Sequence, residues 1–223
     1  MAKPQTATKR PAPRLYLATP ETGDPKTLGG VLRETVRAAD VAAVLLRLKP
    51  AAERDLVNCV KAIAGTVQEA GAALILDGHA GIAAKAGADG AHLSAIEAFT
   101  AAVDGLKPAR IAGCGGLHTR HDAMLAAERG ADYVMFGEPE AGGRRPSLAA
   151  IVERIEWWSG LFEIPCVGYA ATLDEVGPLA AAGADFVAIG GTIWDDPRGP
   201  AAAVADAATR LDAPRLGVSE PAQ

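Results

Sequence analysis

A small set of side chains in this sequence could do chemistry together. Arg47 and Lys49 close an apolar run that begins at Val41. Two residues apart in an extended chain, they project to the same side. Two cations so placed can clamp a phosphate or pyrophosphate, Arg through its bidentate fork and Lys as a point charge. Asp77 ends a second apolar run, and Glu97 follows a third. Carboxylates beyond adjacent strands could share a magnesium ion that bridges a diphosphate. His118 stands in a Gly-rich loop just before a helix, whose dipole favours a neutral imidazole suited to general acid/base work. Arg144 and Arg145 lie in a Gly/Pro-rich loop, and Gly190-Gly191-Thr192 offers backbone N–H groups to a phosphate. Each has a plainer reading as well. These are rim ion pairs for the cations, a helix cap for Asp77 and a solvated helix face for Glu97. His118 would then be an exposed loop residue and the Gly pair a tight turn. His92, inside a strand run, reads as a hydrogen-bonded core residue, and His79 and His121 have no partner argument.

The elements that must hold these residues are announced by one phrase used three times. Gly-Ala-Asp opens an apolar run at residues 87, 130 and 183, each time after an Ala-rich stretch of helical spacing. Each copy reads as a helix end, a stopping Gly, an Asp in the turn and a buried strand. The gaps between copies suit two βα units rather than one, and no hairpin signals lie between them, which indicates parallel strands joined by crossover helices. Strands are expected at 15–18, 41–48, 73–76, 90–93, 110–113, 133–137, 165–169 and 186–190. Helices are expected at 27–39, 50–70, 81–86, 95–105, 119–129, 147–159, 172–182 (bent at Pro178) and 199–211. Eight such units make a closed (β/α)₈ TIM barrel, an α/β fold, over 14–212. Residues 1–13 and 213–223 read as tails. A doubly wound open sheet is the competing architecture, but no GxGxxG follows the first strand.

Composition agrees. The chain has 223 residues, 49% of them hydrophobic, enough for one closed core. The net charge of -5 argues against nucleic-acid binding. Three scattered cysteines, Cys59, Cys114 and Cys166, fit reduced cytoplasmic thiols better than a disulfide frame or zinc site. No run reaches membrane-spanning length, and no signal-peptide core is evident, so a cytoplasmic protein is expected.

With these motifs in view, the stretch 74–97 resembles the thiamine phosphate synthase family. That family typically shows a strand ending in Asn-Asp, then Gly-Ala-Asp-Gly-Val-His-Leu, then an acidic residue. Residues 116–137 continue the resemblance, with His118-Thr119 and Ala131 to Gly137, and Arg47-Leu48-Lys49 is similar to the family's Arg-x-Lys. The likeness covers about residues 14–195. It implies a synthase of thiamine biosynthesis that joins hydroxymethylpyrimidine diphosphate to thiazole phosphate and releases diphosphate. By resemblance Arg47 and Lys49 would hold the diphosphate, and Asp77 and Glu97 the magnesium. The chain also departs from the pattern. Leu45 stands for a Gln, Leu76 for an Asn, Glu97 for an Asp, and Gly116 for a Ser. The Thr-Lys-Thr-Lys loop is replaced by residues 138–145, where Arg144 and Arg145 could substitute for the lost lysine. Tyr169-Ala170-Ala171 replaces a Gly-Gly. Two alternatives stand beside the synthase reading: a thiazole tautomerase using His118, and a catalytically silent paralogue that binds a phosphorylated ligand. The expected partners are the phosphorylated pyrimidine and thiazole, with neither nucleic acid nor membrane. A homodimer is considered because the family and small barrels often associate; the apolar cluster of Trp157, Trp158 and Phe162 reads as core packing, with a subunit interface as the alternative.

Overall fold

A computed structural model describes residues 11–140 and 142–216. Most of the tail expected at 1–13, and residues 217–223, lie outside the described residues. Eight parallel strands close into a barrel in chain order, β8 returning to pair with β1. They are β1 (Arg14–Ala18), β2 (Val41–Leu46), β3 (Ala73–Asp77), β4 (Gly90–Ser94), β5 (Ile111–Gly115), β6 (Tyr133–Phe136), β7 (Cys166–Ala170) and β8 (Phe186–Ile189). The helices are α1 (Pro25–Arg37), α2 (Glu53–Gln68), α3 (Ala80–Ala86), α4 (Ile96–Leu106), α5 (Arg120–Glu128), α6 (Leu148–Leu161), α7 (Val176–Ala181), α8 (Gly191–Trp194) and α9 (Pro200–Leu216). No described helix is long and apolar enough to cross a membrane.

The thrice-repeated phrase has a structural cause. Gly87 takes φ +77°, a left-handed conformation that ends α3. The next N–H, of Ala88, reaches back to Ala83 O at 3.0 Å, which closes a Schellman turn. The Gly130 and Gly183 copies repeat this geometry. The Asp of each copy then clamps the preceding strand. Asp89 Oδ2 accepts from Leu74 N at 2.7 Å, Asp132 Oδ2 from Ala112 N at 2.7 Å, and Asp185 Oδ2 from Cys166 N at 2.8 Å. Each carboxylate thus satisfies a donor near the start of β3, β5 or β7 while its own backbone enters β4, β6 or β8. Such charge-assisted bonds lock neighbouring strands in register.

Alternation along the strands separates two cores. Outward residues pack under the helices, while Tyr16, Leu45, Ile75, Met135, Val167 and their neighbours fill the barrel interior. Most element boundaries fall within two residues of the expectations, and two of the differences have clear reasons. Helix α2 starts at Glu53, because Pro50 to Ala52 offer no capping side chain and Ala52 is extended. The segment 172–182 is split rather than bent: a 3₁₀ turn at Leu173–Glu175 precedes α7, and Pro178 lies in α7's first turn, where its missing N–H breaks no intrahelical bond. Residues 191–194, read as part of a tight turn, form the single-turn helix α8. Helix α9 also runs to Leu216, past the expected barrel end at 212.

Candidate active site

The barrel mouth at the carboxyl ends of the strands gathers most of the candidate residues. Past β2 the chain stays extended: Arg47 N donates to Thr19 Oγ1 at 3.1 Å, and Lys49 N to Thr22 O at 2.9 Å. Lys49 is exposed and Arg47 half-buried. Arg47 Nε lies 3.4 Å from Asp77 Oδ2, at the end of β3. That contact lacks hydrogen-bond geometry, so Arg47 Nε is a buried donor without a partner among the described residues. An orphaned charged donor at a pocket is costly unless a ligand supplies the acceptor. Burial pushes the Asp77 carboxyl above the usual range, against the pull of His92 and Arg47.

Glu97 sits exposed in the first turn of α4 and lines a cleft of about 350 Å³ with Ser94, Gly116, His118, Glu138 and Glu140. Among the described residues no three His, Cys, Asp or Glu side chains converge as a metal cage. His118 is 74% exposed, with Nδ1 4.0 Å from Glu140 Oε1. Its loop is held instead by Arg154, which donates to Leu117 O at 2.7 Å and His118 O at 3.0 Å. Thr119 caps α5 as expected, in a reciprocal capping box with Asp122.

The two arginines of the rewritten loop differ. Arg144 is exposed and paired with Glu140 at 2.6 Å. Arg145 directs all its groups inward, Nε to Gly137 O at 3.2 Å, Nη2 to Tyr169 O at 2.9 Å and Nη1 to Glu175 Oε2 at 2.8 Å. It braces the ends of β6 and β7. Glu175 also accepts from Ala171 N at 2.7 Å, and the Thr192 hydroxyl donates to Ala171 O at 2.5 Å. The loops after β7 and β8 are therefore tied to each other, with Gly190 and Gly191 opening α8 beside them.

Sequence reasoning missed a polar chain inside the barrel. Glu138 Oε1 lies 2.9 Å from His92 Nε2, and Glu138 Oε2 accepts from Gly116 N at 2.9 Å. His92 Nδ1 is 3.0 Å from the Tyr133 hydroxyl, which is 2.8 Å from that of Tyr16. His92 is, as expected, buried and hydrogen-bonded, but its partner is a carboxylate that is itself only 9% exposed. Register explains the meeting: Asp77 pairs with His92, His92 with Gly113 and Gly113 with Tyr133. A Cβ on Gly113 would enter the Tyr133 ring, which instead stacks on His92 at 5.6 Å and 10°. A Cβ on Gly115 would displace the Glu138 carboxylate. Glycines inside a strand were the available signal for such close approaches.

Burial pushes His92 down and Glu138 up, but each outweighs this for the other. The imidazole rises above its ordinary 6.5 and the carboxyl falls below its ordinary 4.5. A raised His92 contributes stability below 6.5 that is lost as pH climbs through its folded value; a depressed Glu138 contributes above 4.5. The ionised pair therefore supports the fold most between these two values. Asp77, raised by burial, contributes stability below 3.8 that is lost as pH climbs through its folded value. Unfolding free energy is thus expected to decline as pH rises above 6.5, less steeply in His92→Gln. Urea titrations across that range check it; parallel slopes in the two proteins would contradict the assignment.

Comparison with known proteins places this mouth in a family. The family model for thiamine monophosphate synthase matches residues 15–193. A thiamine-phosphate synthase from Rhodospirillum centenum is 40% identical over 196 residues, covering 86% of this chain and 95% of that protein. One from Hyphomonas neptunium is 37% identical over 210 residues, covering 89% and 94%. Among solved structures, the thiamine phosphate pyrophosphorylase from Pyrococcus furiosus superposes with a TM-score of 0.73 at 20% identity, covering 90% of this chain and 96% of that one. At that identity the superposition speaks to the barrel alone, but the sequence matches span it almost end to end. The chain belongs to the thiamine monophosphate synthase family, with a thiamine phosphate synthase-like function.

Proposed function

We propose that the mouth joins hydroxymethylpyrimidine diphosphate to thiazole phosphate with release of diphosphate. The observation that carries this reading is Arg47, whose buried Nε has an ion-pair neighbour in Asp77 but no hydrogen-bond partner among the described residues, two residues from the exposed Lys49. A diphosphate would supply the missing acceptors, bidentate on the guanidinium and by charge on Lys49. Asp77 and Glu97 would hold a magnesium ion. Hard carboxylate oxygens suit that ion, and two are enough where substrate phosphate oxygens and water complete the shell. The metal, when bound, would neutralise charge on the leaving diphosphate.

The remaining tasks fall to the chain's own groups. Arg47 and Lys49 orient the diphosphate and favour its departure, because charge grows on it as the bond to the pyrimidine breaks. The second substrate's phosphate is assigned to the backbone around Gly190, Gly191 and Thr192, near the β7 and β8 ends where barrels often bind phosphate. Arg144 is exposed and can swing toward an anion, whereas Arg145 is better read as a brace. A cytoplasmic setting belongs to the same reading, supported by three buried thiols, of which Cys114 is pushed up to about 12 by burial.

The test is direct formation of thiamine phosphate from both substrates with magnesium. Turnover that chelation abolishes and magnesium restores is the expected result. Absence of product from folded protein, beside an active control enzyme, would sink the reading. The tautomerase alternative would then be assayed with and without His118→Ala.

A further inference from the structure

Glu138, His92, Tyr133 and Tyr16 are not used by the group-transfer reading, yet they form one continuous chain from the cleft wall into the barrel. The interior around them is largely apolar, with Leu45, Ile75, Met135 and Val167 in the same buried cluster as Tyr169. Burying an imidazolium and a carboxylate there gives the fold little that packed hydrocarbon would not. Ion pairs kept in such places commonly serve specificity or function.

Hydrogen-bond accounting shows what the chain can do. An ionised Glu138 only accepts, so His92 Nε2 carries a proton in either state of the ring. With an imidazolium, Nδ1 also donates, to the Tyr133 hydroxyl, whose own proton then points to Tyr16. With a neutral ring, Nδ1 accepts from Tyr133, which accepts in turn from Tyr16. The charge on His92 therefore sets the direction of both hydroxyls, and Glu138 sets that charge. Glu138 has a second hold, on Gly116 N, next to Leu117 and His118, whose carbonyls Arg154 holds, so the two side chains together anchor the loop after β5. With His92 protonated, Arg47, Asp77, His92 and Glu138 alternate in sign around the mouth, past β2 and along β3, β4 and the loop after β6. Neutralising the last member would loosen the others.

We propose that Glu138 is a positioning residue of this mouth, acting through His92 on the row of charges that ends at Arg47 and through Gly116 on the β5–α5 loop. Its activity arm rests on the synthase reading; its spectroscopic arm does not. Two variants test it. Glu138→Gln is isosteric, but its one acceptor oxygen can serve His92 Nε2 or Gly116 N, not both. Gly115→Ala changes no charge and drives a Cβ into the carboxylate's place. Both should lower kcat by about tenfold to a hundredfold, as small misplacements at a reacting centre do, and raise KM for the pyrimidine diphosphate by about tenfold, while KM for the thiazole phosphate stays within about twofold. In Glu138→Gln without substrate, the His92 ring should lose its imidazolium NMR signature at a lower pH than in the wild-type protein. Cooperative thermal melts establish that both variants fold. Wild-type kcat in both, with only the melting temperature lowered, would reduce Glu138 to a structural brace and overturn the proposal. Should the wild-type protein show no turnover, the synthase reading fails separately. The His92 spectrum and the affinity for inorganic diphosphate then decide: unchanged in both variants, they overturn the proposal; an altered spectrum with about tenfold weaker binding upholds it.

Discussion

Arg47→Ala is expected to lower kcat/KM for the pyrimidine diphosphate by about two to four orders of magnitude. A charge-assisted hydrogen bond to a phosphate contributes about 1.5–3 kcal/mol. Losing a bidentate pair removes about 3–6 kcal/mol, and each 1.4 kcal/mol is tenfold. The variant also leaves Asp77 half-buried without its cationic neighbour, 3.4 Å away in the intact protein. The diphosphate is both handle and leaving group, so kcat should fall as well as KM rise. Arg47→Lys keeps the charge but not the fork and should fall between the two. Steady-state kinetics, with a thermal melt to exclude unfolding, check this. A wild-type kcat/KM in Arg47→Ala would remove the main support for the diphosphate site.

Trp158→Ala is expected to cost about 3–5 kcal/mol of stability, the usual range for emptying a fully buried aromatic site. Trp158 is entirely buried and stacks on Phe162 at 4.1 Å and 16°. It also meets Phe136 of β6 edge-on at 5.9 Å, and its Nε1 donates to Ile164 O at 2.7 Å. Alanine would open a cavity and leave the Ile164 carbonyl without that donor just before β7 begins. Trp157 on the neighbouring face is partly exposed, with the Arg120 guanidinium 4.8 Å from its ring centre, so Trp157→Ala should cost less. Urea unfolding of the two variants, read at equal m-value, gives the comparison. A Trp158→Ala loss below about 1 kcal/mol would mean that this cluster does not secure α6 to the barrel.

The site was partly legible before the fold. Arg47 could be singled out because a cation interrupting an apolar run conflicts with burial, and such conflicts mark functional places. Asp77 was visible at a strand end, and the repeat glycines marked where helices stop. The three repeat aspartates announced themselves as turn residues, but the strand N–H groups they accept lie far off in sequence, so the clamps could not be read. Arg145 and His118 show what residue type and spacing leave open: both types suit catalysis, and only the fold shows that Arg145 is occupied by carbonyls and a carboxylate while His118 stands 74% exposed.

What the sequence by itself determined is the list of elements, their parallel order and the strand ends that gather the candidate residues. Those follow from local period, capping and turn chemistry, which act within a few residues. Only the closed barrel decided which charges meet. His92 and Glu138 are 46 residues apart and reach each other across Gly115, because strand pairing and register bring β4, β5 and β6 side by side. Side chains that project into a barrel from different strands share one small volume, and no local pattern along the chain encodes that sharing.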